Sequence, residues 1–241
     1  MIDKSIIFKI IGSLLFIEAL LLLACLFMAI GYQEDDVPAF IITIILTTLT
    51  GIVLHYLGRN ADNNMSRRDA YLVVTLSWII FSFFGTLPFI ISGYIPSFTD
   101  AYFETMSGFT TTGATIIDDV DKLPHGLLFW RSMTQWIGGL GIVFFTTAIL
   151  PSFVGGSVKV FAAEATGPVT TRLHPRLSTN AKWIWVVYLV LTISCILSYM
   201  ICGMGWFDSI NYAMGTTATG GFSTHTDSAE FFRSPAVEYI A

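Results

Sequence analysis

Long apolar runs separated by short polar stretches organise the chain. Five runs are long enough to cross a membrane, because a helix needs roughly 20 apolar residues to span the hydrocarbon core. They cover residues 5–30, 37–57, 71–92, 127–150 and 182–203. A sixth run begins near Phe231 and is still apolar close to Ala241. The pattern predicts an all-α integral membrane protein, and the interrupted sixth run leads us to expect further chain after Ala241.

Two connections between spans are too long for turns and too apolar for exposed loops. The first contains a run at residues 98–109, which as a helix reaches only about 18 Å, far short of the roughly 30 Å hydrocarbon core. Irregular backbone at membrane depth is tolerated only where it is buried in protein or lines a wet cavity. We therefore predict that both connections are re-entrant segments.

The two connections are also related by sequence. A shift of 108 residues aligns Met106 with Met214, Thr111 with Thr219 and Gly113 with Gly221. The spans that follow open with similar strings, Phe-Trp-Arg-Ser at 129–132 and Phe-Phe-Arg-Ser at 231–234. The chain is thus predicted to repeat a unit of span, short helix, Thr/Gly segment and span.

The segment after each short helix has the composition of an ion filter. These segments read Thr-Thr-Thr-Gly-Ala-Thr at 110–115 and Thr-Ala-Thr-Gly-Gly-Phe-Ser at 217–223. A filter for a dehydrated monovalent cation needs backbone carbonyls that replace the ion's water shell, and glycine permits the backbone angles required. Neither segment contains a carboxylate, which disfavours selectivity for a divalent cation.

The sequence resembles a known family, the Trk/Ktr/HKT superfamily of potassium transporters, and within it the bacterial TrkH membrane subunits. The resemblance covers essentially the whole chain. It rests on two additional N-terminal helices and on the strings at residues 107–115, 135–141 (Gln-Trp-Ile-Gly-Gly-Leu-Gly) and 219–223. It implies four span–loop–span repeats around a pore, of which this chain would hold one complete repeat and one partial repeat.

The resemblance also implies the roles of individual residues. Gly113 and Gly221 would be the filter glycines, and the carbonyls of Thr111, Thr112, Thr219 and Gly220 would coordinate K⁺. Expected partners are a second copy of the protein, as a homodimer, and a cytosolic nucleotide-binding regulatory subunit. The predicted division is 1–65 for two N-terminal helices, 66–151 for the first repeat, 152–181 for a cytoplasmic linker and 182–241 for the second repeat.

Charge is distributed unequally between the two sides of the predicted membrane. Only 12% of residues are charged, about half the usual share in soluble proteins, and the net charge is −5. With a cytoplasmic N-terminus, nine basic residues lie inside and three outside, as the positive-inside rule requires. Those outside are Lys122, Arg131 and Arg233. We therefore expect a multi-pass membrane protein with a cytoplasmic N-terminus and no basic stripe for nucleic acid, and the resemblance implies that its membrane is the bacterial inner membrane.

Four charged residues near the Thr/Gly segments are candidates for structural support. Asp100 and Asp208 begin the two short helices, and Arg131 and Arg233 begin the spans that follow. The arginines would pair with nearby acids such as Asp100 or Glu104, or else extend to lipid headgroups.

Two other classes of function remain as alternatives. An intramembrane enzyme would need paired acids, a Ser/His pair or a metal set within the spans, and the four dispersed histidines show no ligand spacing. We therefore predict neither catalysis nor a cofactor. A non-conducting membrane scaffold or assembly subunit differs from a transporter only in ion binding. The pattern leaves open K⁺ against Na⁺ and passive transport against symport.

Overall fold

The computed structural model describes residues 4–61, 67–141 and 177–240, and the ordered elements within these ranges are helices joined by turns. The helices are α1 (Lys4–Tyr32), α2 (Val37–Leu57), α3 (Arg67–Ile91), α4 (Phe98–Phe109), α5 (125–141), α6 (Leu177–Ile201), α7 (Trp206–Ala218) and α8 (Pro235–Ile240), with short 3-10 turns at Val120–Lys122 and Ser228–Phe232. The predicted all-α membrane class is confirmed.

Four helices in the described ranges are long and apolar enough to cross a membrane. They are α1, α2, the Tyr71–Ile91 part of α3 and the Trp183–Ile201 part of α6. The predicted span at 127–150 corresponds to α5, but its part beyond residue 141 lies outside the described residues, as does most of the predicted linker at 152–181. The predicted sixth span corresponds to α8, which begins at Pro235 rather than near Phe231.

Helices α1 and α2 form a tight antiparallel pair at the N-terminal end of the chain. Gly12 lies so close to α2 that a methyl group there would come within 2.8 Å of the Gly51 carbonyl oxygen. Small residues allow such close backbone approach between membrane helices. Pro38, in the first turn of α2, helps to begin that helix, because proline lacks the N–H that a first turn leaves unpaired.

The rest of the chain forms two units of similar plan. The first unit consists of α3, α4, a first tip loop (residues 110–115) and α5, and the second of α6, α7, a second tip loop (217–223) and α8. A buried core joins α1 and α2 to the first unit through Leu22, Phe40, Phe89, Phe109 and Trp130. The two units meet where α5 packs against α6 and α7.

Polar contacts fix the position of α5 relative to α6. The Tyr188 hydroxyl of α6 donates to the Trp136 carbonyl at 2.9 Å, and the Trp136 indole N–H donates to the Thr192 hydroxyl at 3.0 Å. Since both contacts are half-buried or buried, they orient α5 with one face toward the second unit. That orientation decides which α5 side chains reach the second tip loop.

Candidate ion filter

The first tip loop begins where α4 stops. The N–H of Thr111 donates to the Gly108 carbonyl at 2.9 Å, and the N–H of Thr112 donates to the Ser107 carbonyl at 2.9 Å. Thr111 takes a left-handed conformation (φ +54°), and Gly113 follows with φ +75°. A β-branched residue rarely adopts positive φ, so the loop is held in a strained course that a simple turn does not need.

The second tip loop repeats this course residue for residue. Thr219 has φ +53° and Gly221 has φ +84°, each 108 positions after its counterpart. The N–H of Thr219 donates to the Thr216 carbonyl at 3.0 Å, which again matches the first loop at a shift of 108. The two loops therefore share a backbone conformation as well as a sequence pattern.

The two tip loops touch at their glycines. The Cα of Gly113 lies against the carbonyl oxygen of Gly220, so closely that a methyl group on Gly113 would collide with that oxygen. Carbonyl groups from the second loop thus lie beside the first loop. Of the residues predicted for the filter, the structure brings Gly113 of the first loop into contact with Gly220 and Gly221 of the second.

Burial alternates along the second tip loop. Thr219 and Gly221 are exposed, whereas Gly220 and Phe222 are buried. In the first loop Thr112 is exposed, and its hydroxyl lies 2.8 Å from that of Thr110. The second loop therefore has one side against the protein and one side open, whereas no residue of the first loop is fully buried.

A buried ion pair stands behind the first loop. Arg131 of α5 donates from Nε to Glu104 of α4 at 2.8 Å, and both side chains are almost fully buried. The same carboxylate accepts the Ile116 N–H at 3.0 Å and lies 3.0 Å from the Thr115 hydroxyl. Of the two acids considered as partners of this arginine, Glu104 is the one in contact.

The ion pair also extends to the second loop. Arg131 Nη1 donates to the Ser223 carbonyl at 3.0 Å, and its guanidinium lies 4.2 Å from the centre of the Phe222 ring. Arg131 is thus in contact with both tip loops. A charge held by a carboxylate on one side and by a carbonyl and an aromatic face on the other is well compensated for a buried site.

Glycines of α5 let that helix pack closely against both short helices. Gly138 contacts the Phe109 carbonyl oxygen at the end of α4, and a methyl group at Gly139 would lie 3.0 Å from Ala218 at the end of α7. These are the close approaches expected of small residues in a membrane helix.

The connections after the two tip loops are joined by His225. Its Nδ1 lies 2.7 Å from Asp121 Oδ1, and its Nε2 lies 3.5 Å from Asp208 Oδ1. Asp208 also accepts the Thr224 hydroxyl at 2.7 Å. The His225 hydrogen bond holds the pKa of Asp121 below its usual value, with further help from the Thr226 N–H.

The four predicted support residues have different surroundings. Asp100 lies in the first turn of α4, where its N–H donates to the Ser97 hydroxyl, and Asp208 belongs to the His225 contact. Arg131 is buried at Glu104, but Arg233 is exposed with φ +48° and forms no ion pair within the described ranges. The two arginines are therefore not structural equivalents.

Gln135, Asp121 and His225 contact the tip loops or their connections, and sequence reasoning did not select them. For Gln135 a usable signal existed, because it lies four residues after Arg131 and so shares its face of α5. For the other two no local signal existed. Among the described residues, His, Cys, Asp and Glu form no group able to hold a metal ion by themselves.

The chain matches one protein family in its sequence. The family model described as cation transport protein TrkH matches residues 36–241. Trk system potassium uptake protein TrkH of Halomonas elongata is 38% identical over 236 residues, which is 97% of this chain and 49% of that protein. The protein of the same name from Escherichia coli strain K12 is 39% identical over 214 residues, 88% of this chain and 44% of that protein.

A solved structure gives the same result for the fold. The crystal structure of the potassium transporter TrkH from Vibrio parahaemolyticus superposes with a TM-score of 0.85 at 36% identity, covering all of this chain and 48% of that one. The chain therefore spans about half the length of the relatives it matches. On this evidence the chain belongs to the TrkH family of cation transport proteins.

Proposed function

We propose that this chain takes part in translocating K⁺ across the bacterial inner membrane, through a filter to which its two tip loops contribute carbonyl oxygens. The observation that carries the proposal is the contact between Gly113 and the Gly220 carbonyl, in two loops with the same left-handed residues. Such a contact puts the Gly220 carbonyl beside the backbone of the first loop, which supports a site where carbonyls of both loops replace an ion's hydration shell.

The proposed ligands are backbone oxygens. They belong to Thr111, Thr112, Gly113, Thr219, Gly220 and Gly221. Helices α4 and α7 both end at these loops, so the partial negative charge of each C-terminus faces the proposed ion. We name K⁺ as the proposed ion because the relatives are potassium uptake proteins.

The wider setting is also part of the proposal. The N-terminus would lie in the cytoplasm, with the acidic residues of the loops facing outward. A second copy of the protein and a cytosolic nucleotide-binding subunit are the proposed partners. The division into two N-terminal helices, a first repeat, a linker and a second repeat stays a prediction.

The test is K⁺ and Na⁺ uptake by cells that lack their own potassium systems and express the complete gene product containing this sequence. We expect Gly113→Ser and Gly221→Ser to abolish growth at low K⁺ or to admit Na⁺. The matched control is Gly31→Ser in α1, because Gly31 has open space around it and ordinary helical angles. Normal uptake and selectivity in well-expressed Gly113 and Gly221 variants would contradict the filter and favour a non-conducting scaffold.

A further inference from the structure

Gln135 lies at the junction of the two units, although it belongs to the first. It is fully buried on α5, and its Oε1 accepts the N–H of Phe222 at 3.0 Å, across 87 positions of sequence. Since an N–H must meet an acceptor, this contact fixes which end of the amide faces the second tip loop. A side chain of one unit thus holds the backbone of the other.

That hydrogen bond has a consequence for the neighbouring carbonyl. The Phe222 N–H and the Gly221 C=O belong to one planar trans peptide group, in which they point in opposite directions. With the N–H held toward Gln135, the Gly221 carbonyl must point away from α5. Gly221 itself lies on the open side of the loop, with nothing near the position of a side chain.

The Gln135 amide also explains why residue 220 is glycine. A methyl group at Gly220 would overlap the Gln135 side-chain amide, coming within 2.7 Å of its nitrogen. Gly220 does not have a positive φ, so space rather than backbone angle excludes other residues there. The first loop has Thr112 at the equivalent position, with an exposed side chain. The Gln135 amide therefore occupies the space that a side chain at position 220 would need.

Arg131, one helical turn before Gln135 on α5, holds the peptide group between Ser223 and Thr224, two peptide groups further along the loop. It donates to the carbonyl of Ser223, while Gln135 accepts from the N–H of Phe222. Together these two α5 side chains fix the segment that follows Gly221. Arg131 also forms an ion pair with Glu104. Among the described residues, by contrast, the Gln135 side chain forms a hydrogen bond only with the second tip loop.

We propose that Gln135 is a positioning residue for ion selectivity: by holding the Phe222 N–H, it keeps the Gly221 carbonyl directed at the ion path. This inference rests on the proposed function. Selectivity between K⁺ and Na⁺ depends on how many carbonyls reach the ion and how freely they move. A Gly221–Phe222 peptide released from Gln135 is free to turn, and its carbonyl then adapts to the smaller ion.

The test compares two replacements of similar shape in the complete gene product. Gln135→Met removes the acceptor, whereas Gln135→Glu keeps a carboxyl oxygen for the Phe222 N–H. We expect Gln135→Met to lower the ratio of K⁺ to Na⁺ uptake roughly five- to tenfold, the factor that corresponds to one hydrogen bond, while Gln135→Glu retains most of the ratio. The matched control is Ser132→Ala on the same helix, because within the described part of the chain the Ser132 hydroxyl donates only to the Leu128 carbonyl of α5.

A purely structural role would lower the amount of protein and both uptake rates together, leaving the ratio unchanged. An unchanged ratio in Gln135→Met, or equal losses in Gln135→Met and Gln135→Glu, would overturn the inference. If Gln135→Met is not produced, Gly220→Ala gives a second test, since its methyl group displaces the Gln135 amide. We then expect Gly220→Ala to lower the ratio, and an unchanged ratio counts against Gln135.

The outcomes also separate this inference from the proposed function. If Gly221→Ser changes the uptake ratio and Gln135→Met does not, the filter stands and the positioning role is lost. If neither Gly113→Ser nor Gly221→Ser affects uptake, the filter itself is refuted and the inference with it.

Discussion

The two tip loops follow the same backbone course but rest on different side chains. Left-handed residues recur at Thr111 and Thr219 and at Gly113 and Gly221, with φ values that differ by 9° or less. Behind the first loop stands the Glu104 carboxylate, whereas the residue 108 positions later is Tyr212. The proposed function requires the backbone conformation that the two loops share, and different side chains stabilise that conformation in each loop.

Helix α5 contributes side chains that stabilise both loops. For the first loop α5 supplies Arg131, which compensates Glu104, and for the second it supplies Gln135 and a second contact of Arg131. A helix that belongs to the first unit by sequence thus supports both loops. The following predictions test that asymmetry.

Removing Arg131 should have the largest effect. Arg131→Met leaves the Glu104 carboxylate buried without a counter-charge, and breaking a buried pair in this way costs about 3–5 kcal/mol. We expect a strongly lowered thermal unfolding midpoint in purified protein. The double variant Glu104→Gln/Arg131→Met should recover part of the loss, because no buried charge remains. Arg233→Met is the matched control, and a comparable loss there would contradict the assignment.

Alanine substitutions at the two filter glycines should have effects of different size in the two loops. Both variants force alanine into positive φ, which costs about 1–2 kcal/mol. Only Gly113→Ala adds a collision, with the Gly220 carbonyl, since the space at Gly221 is open. We expect Gly113→Ala to lower the unfolding midpoint and K⁺ uptake more than Gly221→Ala. Equal effects would mean that the two loops do not touch as described.

The two short helices should respond differently at their beginnings. Ser97 caps α4 by accepting the Asp100 N–H at 3.4 Å, whereas α7 begins after Gly205 without a side-chain cap. We expect Ser97→Ala to cost about 0.5 kcal/mol, the low end for a lost cap, because the hydrogen bond is long. Gly205→Ser should cost nothing or stabilise by a few tenths of a kcal/mol. Unfolding midpoints of both variants, measured side by side, give the comparison.

The smallest effect is expected where the two connections meet at His225. Because the pKa of Asp121 is lowered in the folded protein, its stabilisation is present above the ordinary pKa near 4 and is lost as pH falls through the folded value. Asp121→Asn should therefore lower the unfolding midpoint slightly at pH 7, and the difference from the unchanged protein should disappear as pH falls below about 4. A difference that grows in acid would contradict the assignment.

Much of the fold follows from the sequence, because apolar length decides which segments span a membrane. The bounds 37–57 of α2 and 98–109 of α4 agree with the predicted runs. Helices α3 and α6 begin earlier than predicted, at Arg67 and Leu177, since a helix continues beyond its apolar part wherever the backbone can still form its hydrogen bonds. The 108-residue register reappears in the backbone angles.

The supports of the filter could not be predicted in the same way. Gln135 and Phe222 are 87 positions apart, and His225 and Asp121 are 104 apart, so their contacts depend on how whole helices pack. Arg233 shows the limit of a matching string. Its Phe-X-Arg-Ser sequence recurs at a shift of 102 rather than 108, and it precedes α8, whereas Arg131 lies within α5.

The position of α5 between the two loops has a consequence for exchanging parts between relatives. Units read along the sequence divide after α5, but the second tip loop depends on α5 for two of its backbone contacts. A chimera joined in the segment after α5 would pair one protein's Gln135 with another protein's Gly220. Joining before residue 125 keeps Gln135 with Gly220 but separates Arg131 from Glu104, so a junction on either side of α5 leaves one of the two loops with supports from another protein.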